Sequence, residues 1–346
     1  MKEKNIPNLF ILGLGTVGSE FLNIINRYKQ DSFNIKAIVK SKEMIINPSI
    51  GMVNKKYNLF KKSIPTDIDY ILTLGLFKSS INVIVDCTSS EKLAKEYAKF
   101  FDKGFSVVTA SKIANTLSQN YFDLLRHISQ KNKVHFYYGT NVGAGLPIIS
   151  TLKAMISSGD KILRIDGIIS GTLSYLFSRF DGSTGFSRLL KRAREKGFTE
   201  PDPRDDLTGL DVAKKMLILI RETGVKIELS DIKVQNLIPK GINPKLSIND
   251  FLIELSKYDS FFLDKYLESK KENQALRYIG SWDGFKAHVR LRSVNTEDPF
   301  YNQRGRENFI ILKSERYNKI PLIIRGHGAG AAVTAAGILQ DIELIK

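Results

Sequence analysis

The chain has one cysteine, Cys87, so no disulfide can form within it and no cysteine cluster can hold a metal. That fits a reducing compartment. No apolar run approaches the ~20 residues needed to cross a bilayer. The first residues enter a strand-like run, Asn8 to Gly13, without the separate charged, apolar and small-residue regions of a secretion signal. Internal repeats and low-complexity linkers are lacking too. The net charge is +16, but the basic residues are scattered, as in Lys61-Lys62, Lys191-Arg192 and Lys270-Lys271. No long basic tract or aromatic-interleaved basic segment appears. A general lysine bias of the surface accounts for the charge, and the positive field still favours an anionic ligand such as a dinucleotide. The expectation is a cytoplasmic globular protein with neither membrane nor nucleic acid as partner.

What is there reads as two domains, which a length of 346 residues accommodates. Short apolar runs at 8–14, Ile35–Val39, Val83–Asp86, Val107-Val108 and Val134–Tyr138 alternate with helical stretches at Thr16–Lys29, Glu91–Asp102 and Tyr121–Gln130. That alternation implies a parallel sheet covered on both faces. Residues 41–80 are irregular and could hold a helix, an insertion or a mobile loop. After about residue 140 the pattern changes to helices at Leu146–Ser157, Leu173–Phe180, Ser187–Lys196 and Leu210–Arg221. Late in the chain, Phe285, Ala287, Val289 and Leu291 alternate with Lys286, His288, Arg290 and Arg292, a strand with one buried face. Gln274–Gly280 and Phe309–Lys313 read as its neighbours. The fold class is therefore α/β: an N-terminal doubly wound parallel sheet of Rossmann type, then an α+β domain with an open mixed or antiparallel sheet.

Gly13-Leu-Gly-Thr-Val-Gly18 lies between the first strand and the first helix, the place a dinucleotide-binding fingerprint requires. Gly13 permits the tight turn, Gly15 lets the backbone approach a pyrophosphate, and Gly18 allows helix and strand to touch. The second strand ends in Lys40-Ser41-Lys42, which suits the extra phosphate of NADP, and Glu43 beside them keeps NAD open. Thr88 and Ser89 follow the strand ending at Asp86, at the carboxyl edge where ligands bind, or else they cap the helix at Glu91. Lys112 lies just past Val107-Val108 at the same edge. Gly326-His-Gly-Ala-Gly330 is a second glycine-rich loop, placed before an alanine-rich helix that would return to the cofactor domain.

The segment Thr199–Lys215 carries the chemistry. Glu200, Asp202, Asp205 and Asp206 crowd a proline-stiffened loop, and the helix that follows sets Asp211 and Lys215 four residues apart on one face. Exposed, that pair contributes only ~0.3–0.5 kcal/mol; lining a cleft, it gives a lysine tunable by its neighbours. Lys214, three residues from Asp211, is a rival. So many carboxylates need cations nearby. Arg204 can satisfy one, and an amino-bearing substrate could satisfy others.

At this point the chain resembles the homoserine dehydrogenase family. The resemblance runs through Asn141-Val-Gly-Ala-Gly-Leu-Pro147, Gly167-Ile-Ile-Ser-Gly-Thr-Leu-Ser-Tyr175, Thr199–Lys215, Asp298-Pro-Phe-Tyr-Asn302, Gly305-Arg-Glu-Asn308 and Gly328-Ala-Gly-Ala-Ala-Val-Thr-Ala-Ala-Gly337, in order. It implies NAD(P)-dependent interconversion of L-aspartate 4-semialdehyde and L-homoserine. It implies Lys215 as the proton-transfer lysine, Asp211 as its orienting and substrate-binding partner, and Glu200, with Asp206 and Tyr175, at the substrate. Lys112 would stand between nicotinamide and substrate. Gly13, Gly15, Thr16, Val17, Gly18, Lys40, Thr88, Ser89, Lys112, Gly197 and Gly330 would contact the cofactor. The family's sodium ion would rest on the carbonyls of Val142, Ala144 and Leu146, but the usual Glu is Gly139 here, so that site loses its formal charge. Ser111 stands where Asn commonly precedes the lysine. The resemblance implies a dimer or a tetramer, with a homodimer as the expectation, and the sheet around Phe285–Leu291 offers a pairing surface. The expected domains are 1–140 for the dinucleotide, 141–320 for catalysis and dimerisation, and 321–346 returning to the first. No room is left for an aspartate kinase or a C-terminal regulatory domain. Aspartate-semialdehyde dehydrogenase, a rival at fold level, needs a nucleophilic thiol in its catalytic domain, where this chain has none. A catalytically inactive cofactor sensor or nucleic-acid binder on the same fold is the other alternative.

Overall fold

The computed structural model describes residues 6–29, 32–48, 60, 63–75 and 81–345. The chain forms two compact units, Met1–Gly145 with Gly330–Lys346, and Leu146–Ala329.

The first unit is built on β1 (Asn8–Leu12), β2 (Asn34–Val39), β3 (Glu43–Ile46), β4 (Ile64–Pro65), β5 (Asn82–Asp86), β6 (Phe105–Thr109) and β7 (Phe136–Tyr137), in the order β4-β3-β2-β1-β5-β6-β7. The run β2-β1-β5-β6-β7 is parallel. β1, β5 and β6 are buried along their whole length, which is why they read as near-continuous apolar runs. The strand order reverses between β1 and β5, and the carboxyl edge at such a reversal is where open α/β sheets bind ligands. Helix Ala331–Glu343 joins this unit. Its Ile338 and Ile342 share a core with Phe21 and Ile25 of helix Thr16–Tyr28.

Several readings change. Phe309–Lys313, expected beside the strand at Phe285–Leu291, pairs instead with residues 162–168 and 322–327, because residues 162–168 and 275–282 come between in the sheet order. Within residues 41–80, β3 runs antiparallel to β2 and β4 antiparallel to β3, and Asp67 caps a helix at Ile68–Leu74; residues 49–59, 61–62 and 76–80 lie outside the described residues. These strands are only four and two residues long, too short for periodicity to register. The amphipathic helix expected over Glu91–Asp102 is two short helices, Glu91–Ala94 and Tyr97–Asp102. The crossing back to the first unit falls at 329/330, later than 320/321, because residues 322–327 pair as an edge strand of the second sheet.

That second sheet comprises β8 (Ile162–Ile168), β9 (Ile232–Val234), β10 (Ala275–Trp282), β11 (Ala287–Val294), β12 (Glu307–Ser314) and β13 (Leu322–His327), ordered β13-β12-β8-β10-β11-β9. It is antiparallel except for the β11–β9 pair. Helix Leu210–Glu222 lies on it. Gly280 makes that approach possible, since a Cβ there would come within 2.5 Å of Met216 Cγ. Ala287 and Val289 are buried as the alternation requires, but Phe285 is 93% exposed. It precedes β11, in a turn closed by Asp283, whose carboxylate accepts from the Phe285 and Lys286 amides.

Candidate active site

In the first unit the glycine turn has the shape its sequence requires. Gly13 adopts φ +90°, and a Cβ on Gly18 would lie 2.0 Å from the Gly13 carbonyl oxygen. Gly15 begins helix Thr16–Tyr28 with no side-chain cap and no acidic residue in the first turn, and a Cβ there would meet nothing within 4 Å. The Thr16 and Val17 amides, which the helix leaves without acceptors, therefore open onto an uncrowded, positively polarised end. That is a cradle for a pyrophosphate.

Across the reversal stand Thr88 and Ser89. The cap of helix Glu91–Ala94 is Ser90, whose hydroxyl accepts from the Leu93 amide at 3.2 Å. Capping therefore does not account for Thr88 or Ser89. Thr88 is fixed by Asp86, which accepts its amide at 2.7 Å and also accepts from the Tyr97 hydroxyl. Burial raises the Asp86 carboxyl, and burial beside Asp86 pushes the Cys87 thiol up to about 12. Lys112, half-buried, precedes helix Ile113–Thr116 just past β6. Gly330 starts helix Ala331–Glu343 at φ +117° with open space around it.

At the end of β2, Lys40 does not stand alone. Its ammonium meets Glu43 at 2.9 Å and lies 3.5 Å from the Phe60 ring centre. Hydrogen bonds from Lys40 and from the Ser63 hydroxyl hold Glu43 below the usual carboxylate range.

In the second unit, Lys215 Nζ sits between Asp211 Oδ2 at 2.7 Å and the Ile169 carbonyl at 2.7 Å. The lysine side chain is 13% exposed and the aspartate 46%. Lys214 points into solvent, so helix geometry alone had left open a choice that packing settles. Arg204 is taken: it grips Asp202 with both arms of its fork and donates to the Pro244 and Leu246 carbonyls. Asp211 pairs with Lys215, and Glu200 and Asp206 stand together beside it. Asp206 accepts from the Glu200 amide at 2.8 Å. Burial, aided by the charges of Glu200 and Asp211, raises its carboxyl to about 6, against pulls downward from the Thr172 hydroxyl and the Glu200 amide. Tyr175 packs edge-on to Phe198 at 5.1 Å. Gly197 follows helix Phe186–Glu195 at φ +67°, with its amide on Arg194 and the Phe198 amide on Ala193. That is a helix-terminating pattern which needs glycine for its own reasons.

Asp206 has a measurable signature. Folded, it keeps its proton up to about 6, whereas its ordinary value is 3.8. Between those values the folded chain binds more protons than the unfolded one, so this carboxyl lowers stability as pH rises through the window. Asp206→Asn is expected to remove that slope. Urea midpoints of both proteins at either end of the window measure it, and parallel pH trends would disprove it.

Residues 13–139 match the family model described as the homoserine dehydrogenase NAD-binding domain, and residues 147–342 match that of homoserine dehydrogenase. The chain belongs to the homoserine dehydrogenase family. It is 36% identical to homoserine dehydrogenase of Schizosaccharomyces pombe, over 97% of this chain and 94% of that protein. It is 39% identical to the bifunctional aspartokinase/homoserine dehydrogenase of Haemophilus influenzae, over 98% of this chain but 43% of that protein. The chain spans about two fifths of the length of the bifunctional relatives it matches. A Candida auris protein of unknown function shares the fold at a TM-score of 0.90, with 32% identity and 98% of each chain covered. As a family member the chain carries a nicotinamide-dinucleotide domain, and the uncrowded glycine turn fits that cofactor.

Within the homoserine dehydrogenase pattern, Gly139 is partly answered by Asp341. Asp341 is 9% exposed, its Oδ2 accepts from the Gly139 amide at 2.8 Å, and a Cβ on Gly139 would meet Asp341 Oδ1 at 2.8 Å. A carboxylate therefore stands where the sequence omits one. Nearby, Gly143 and Ala144 both take positive φ, and the Leu146 carbonyl accepts from the Ile148 amide at 2.8 Å. Ser111 caps Ile113 weakly, at 3.4 Å. Thr172, Phe198, Asp341 and the Ile169 carbonyl did not emerge from sequence reasoning as site residues. Thr172 sits in the small-residue turn Ser170-Gly171-Thr172, which might have been read as a ligand loop; the others carry no local signal.

Proposed function

We propose that the chain catalyses the NAD(P)-dependent interconversion of L-homoserine and L-aspartate 4-semialdehyde. The observation that carries this reading is Lys215, shielded and held between Asp211 and the Ile169 carbonyl beside two further carboxylates. When bound, a dihydronicotinamide would supply the hydride that reduces the aldehyde carbon. The carbonyl oxygen then gains negative charge, and the Lys215 ammonium gives it a proton, making the alcohol; oxidation runs the same path backward. Asp211 keeps the ammonium aimed. Glu200 and Asp206 receive the substrate's amino group, which relieves their mutual repulsion, and Tyr175 with Phe198 walls the site. Lys112 assists at the nicotinamide. Gly13, Gly15, Thr16, Val17 and Gly18 hold the pyrophosphate, with Thr88, Ser89, Gly197 and Gly330 as further cofactor contacts. The test is homoserine-dependent reduction of NADP and NAD, followed by the near-ultraviolet absorbance of the reduced ring. No homoserine oxidation with either cofactor would overturn the reading.

Lys40 favours NADP in this reading, with Glu43 as the anion that the 2′-phosphate replaces. Lys40→Ala is then expected to weaken NADP by about tenfold, the value of one charge-assisted hydrogen bond, and to leave NAD unchanged. Equilibrium titration of both dinucleotides checks it, and equal losses for the two would remove Lys40 from the phosphate.

Sodium at the Val142, Ala144 and Leu146 carbonyls, with Asp341 supplying charge, belongs to the same proposal. So does a cytoplasmic homodimer paired through the second sheet, for which the exposed Phe285 is the supporting feature. No helix among the described residues is long and apolar enough to cross a membrane.

A further inference from the structure

Arg306 lies in the turn between Gly305, at φ +59°, and β12. Its guanidinium centre is 4.5 Å from the Phe198 ring centre. It also lies over Gly171, the first residue of helix Gly171–Arg179, where an added Cβ would meet Arg306 Nε at 3.5 Å and Nη2 at 3.7 Å. Its Nε is buried without an acceptor. A guanidinium stacked on an aromatic face keeps its in-plane donors for something else. Here they stand beside the positive end of a nine-residue helix, whose Gly171 and Thr172 amides have no acceptor within the helix. Two positive features converging on one spot oppose each other unless an anion joins them.

The neighbours say which anion. Thr172 follows Gly171, and its hydroxyl donates to the Phe198 carbonyl at 2.7 Å and also stands against Asp206. Ile169, two residues before Gly171, accepts from Lys215. The turn 169–172 therefore has the carboxylate cluster on one side and an unmatched guanidinium on the other. An α-amino acid carries an ammonium and a carboxylate on the same carbon, so its two holders must be adjacent. We propose that Arg306 binds the α-carboxylate of the amino-acid substrate and selects for ligands that carry one. This deepens the functional reading above and rests on it.

Calorimetric titration of the full chain with L-homoserine, and with the amino diol in which its carboxylate is reduced to a hydroxymethyl group, separates the two ideas. Wild-type protein that binds homoserine upholds the substrate; wild-type protein that binds neither ligand sinks the substrate reading itself. Given wild-type binding, Arg306→Gln is expected to weaken homoserine by about 10- to 100-fold, the range for a charged hydrogen-bonded pair, and to leave the amino diol unchanged. Equal weakening of both ligands would mean that Arg306 only braces Phe198, and no weakening of either would mean it touches nothing; both outcomes overturn the proposal. If the glutamine variant does not fold, Arg306→Lys carries the test. It loses the two-pronged geometry, so preference for homoserine over the amino diol should fall severalfold, and an unchanged preference counts against Arg306.

Discussion

Lys215→Met should lower homoserine oxidation by about 10²–10⁴-fold while dinucleotide affinity stays near that of the unaltered protein. The size follows from what is removed. The oxygen at the reacting carbon changes charge as hydride moves, and Lys215 is the ammonium held in place by an anion and a carbonyl at 2.7 Å each. Water can replace it chemically but not positionally. Methionine keeps the stem's length and apolar packing, so the helix Leu210–Glu222 is retained. Lys214→Met serves as the control, because that side chain is exposed and should change turnover little. Steady-state rates with saturating homoserine, paired with cofactor titration, decide the matter. A Lys215→Met enzyme with undiminished turnover would remove the lysine from the proton path and the proposed mechanism with it.

Arg277→Met should destabilise the second unit by about 3–5 kcal/mol. Arg277 is 6% exposed and faces carbonyls instead of a carboxylate: Phe300 from Nε, Phe177 and Leu276 from Nη1, and Tyr301 and Gln303 from Nη2. Burial pulls its pKa down, as expected for a cation without a counter-charge at close range. Its five donors tie helix Gly171–Arg179 and the turn Pro299–Asn302 to β10. Methionine fills the space but leaves those carbonyls stranded, each at the cost of a buried unmet acceptor. Urea unfolding read by the fluorescence of Trp282, the only tryptophan and a buried residue of the same strand, measures the change. A shift under about 1 kcal/mol would mean that water reaches those carbonyls after all.

Much of this was legible in the residues. The central strands of the first sheet are continuous apolar runs, and the glycine turn at 13–18 announces itself because Gly13 takes a positive φ and Gly18 lies against the Gly13 carbonyl. The family pattern of Thr199–Lys215 pointed to the cluster that packing assembles. What escaped has physical causes. The edge strands β3 and β4 are too short to show a period. Phe285 continues the alternation of β11 in sequence, yet the Asp283 turn takes it out of the strand. β8, the centre of the second sheet, reads Ile-Leu-Arg-Ile-Asp-Gly-Ile, where Arg164 and Asp166 mask an otherwise apolar strand by pairing with each other. The Asp341–Gly139 contact joins residues 202 apart, and no local rule reaches that far.

The lone thiol has a use of its own. With its ionisation pushed up to about 12, Cys87 stays a neutral thiol at mildly alkaline pH, and alkylating reagents should label it slowly. Cys87 is half-buried, so its rate of labelling follows the packing beside Leu12 and Asp86. One atom, present by nature and needing no engineered tag, thus reports on the point where the glycine turn meets the reversal of strand order.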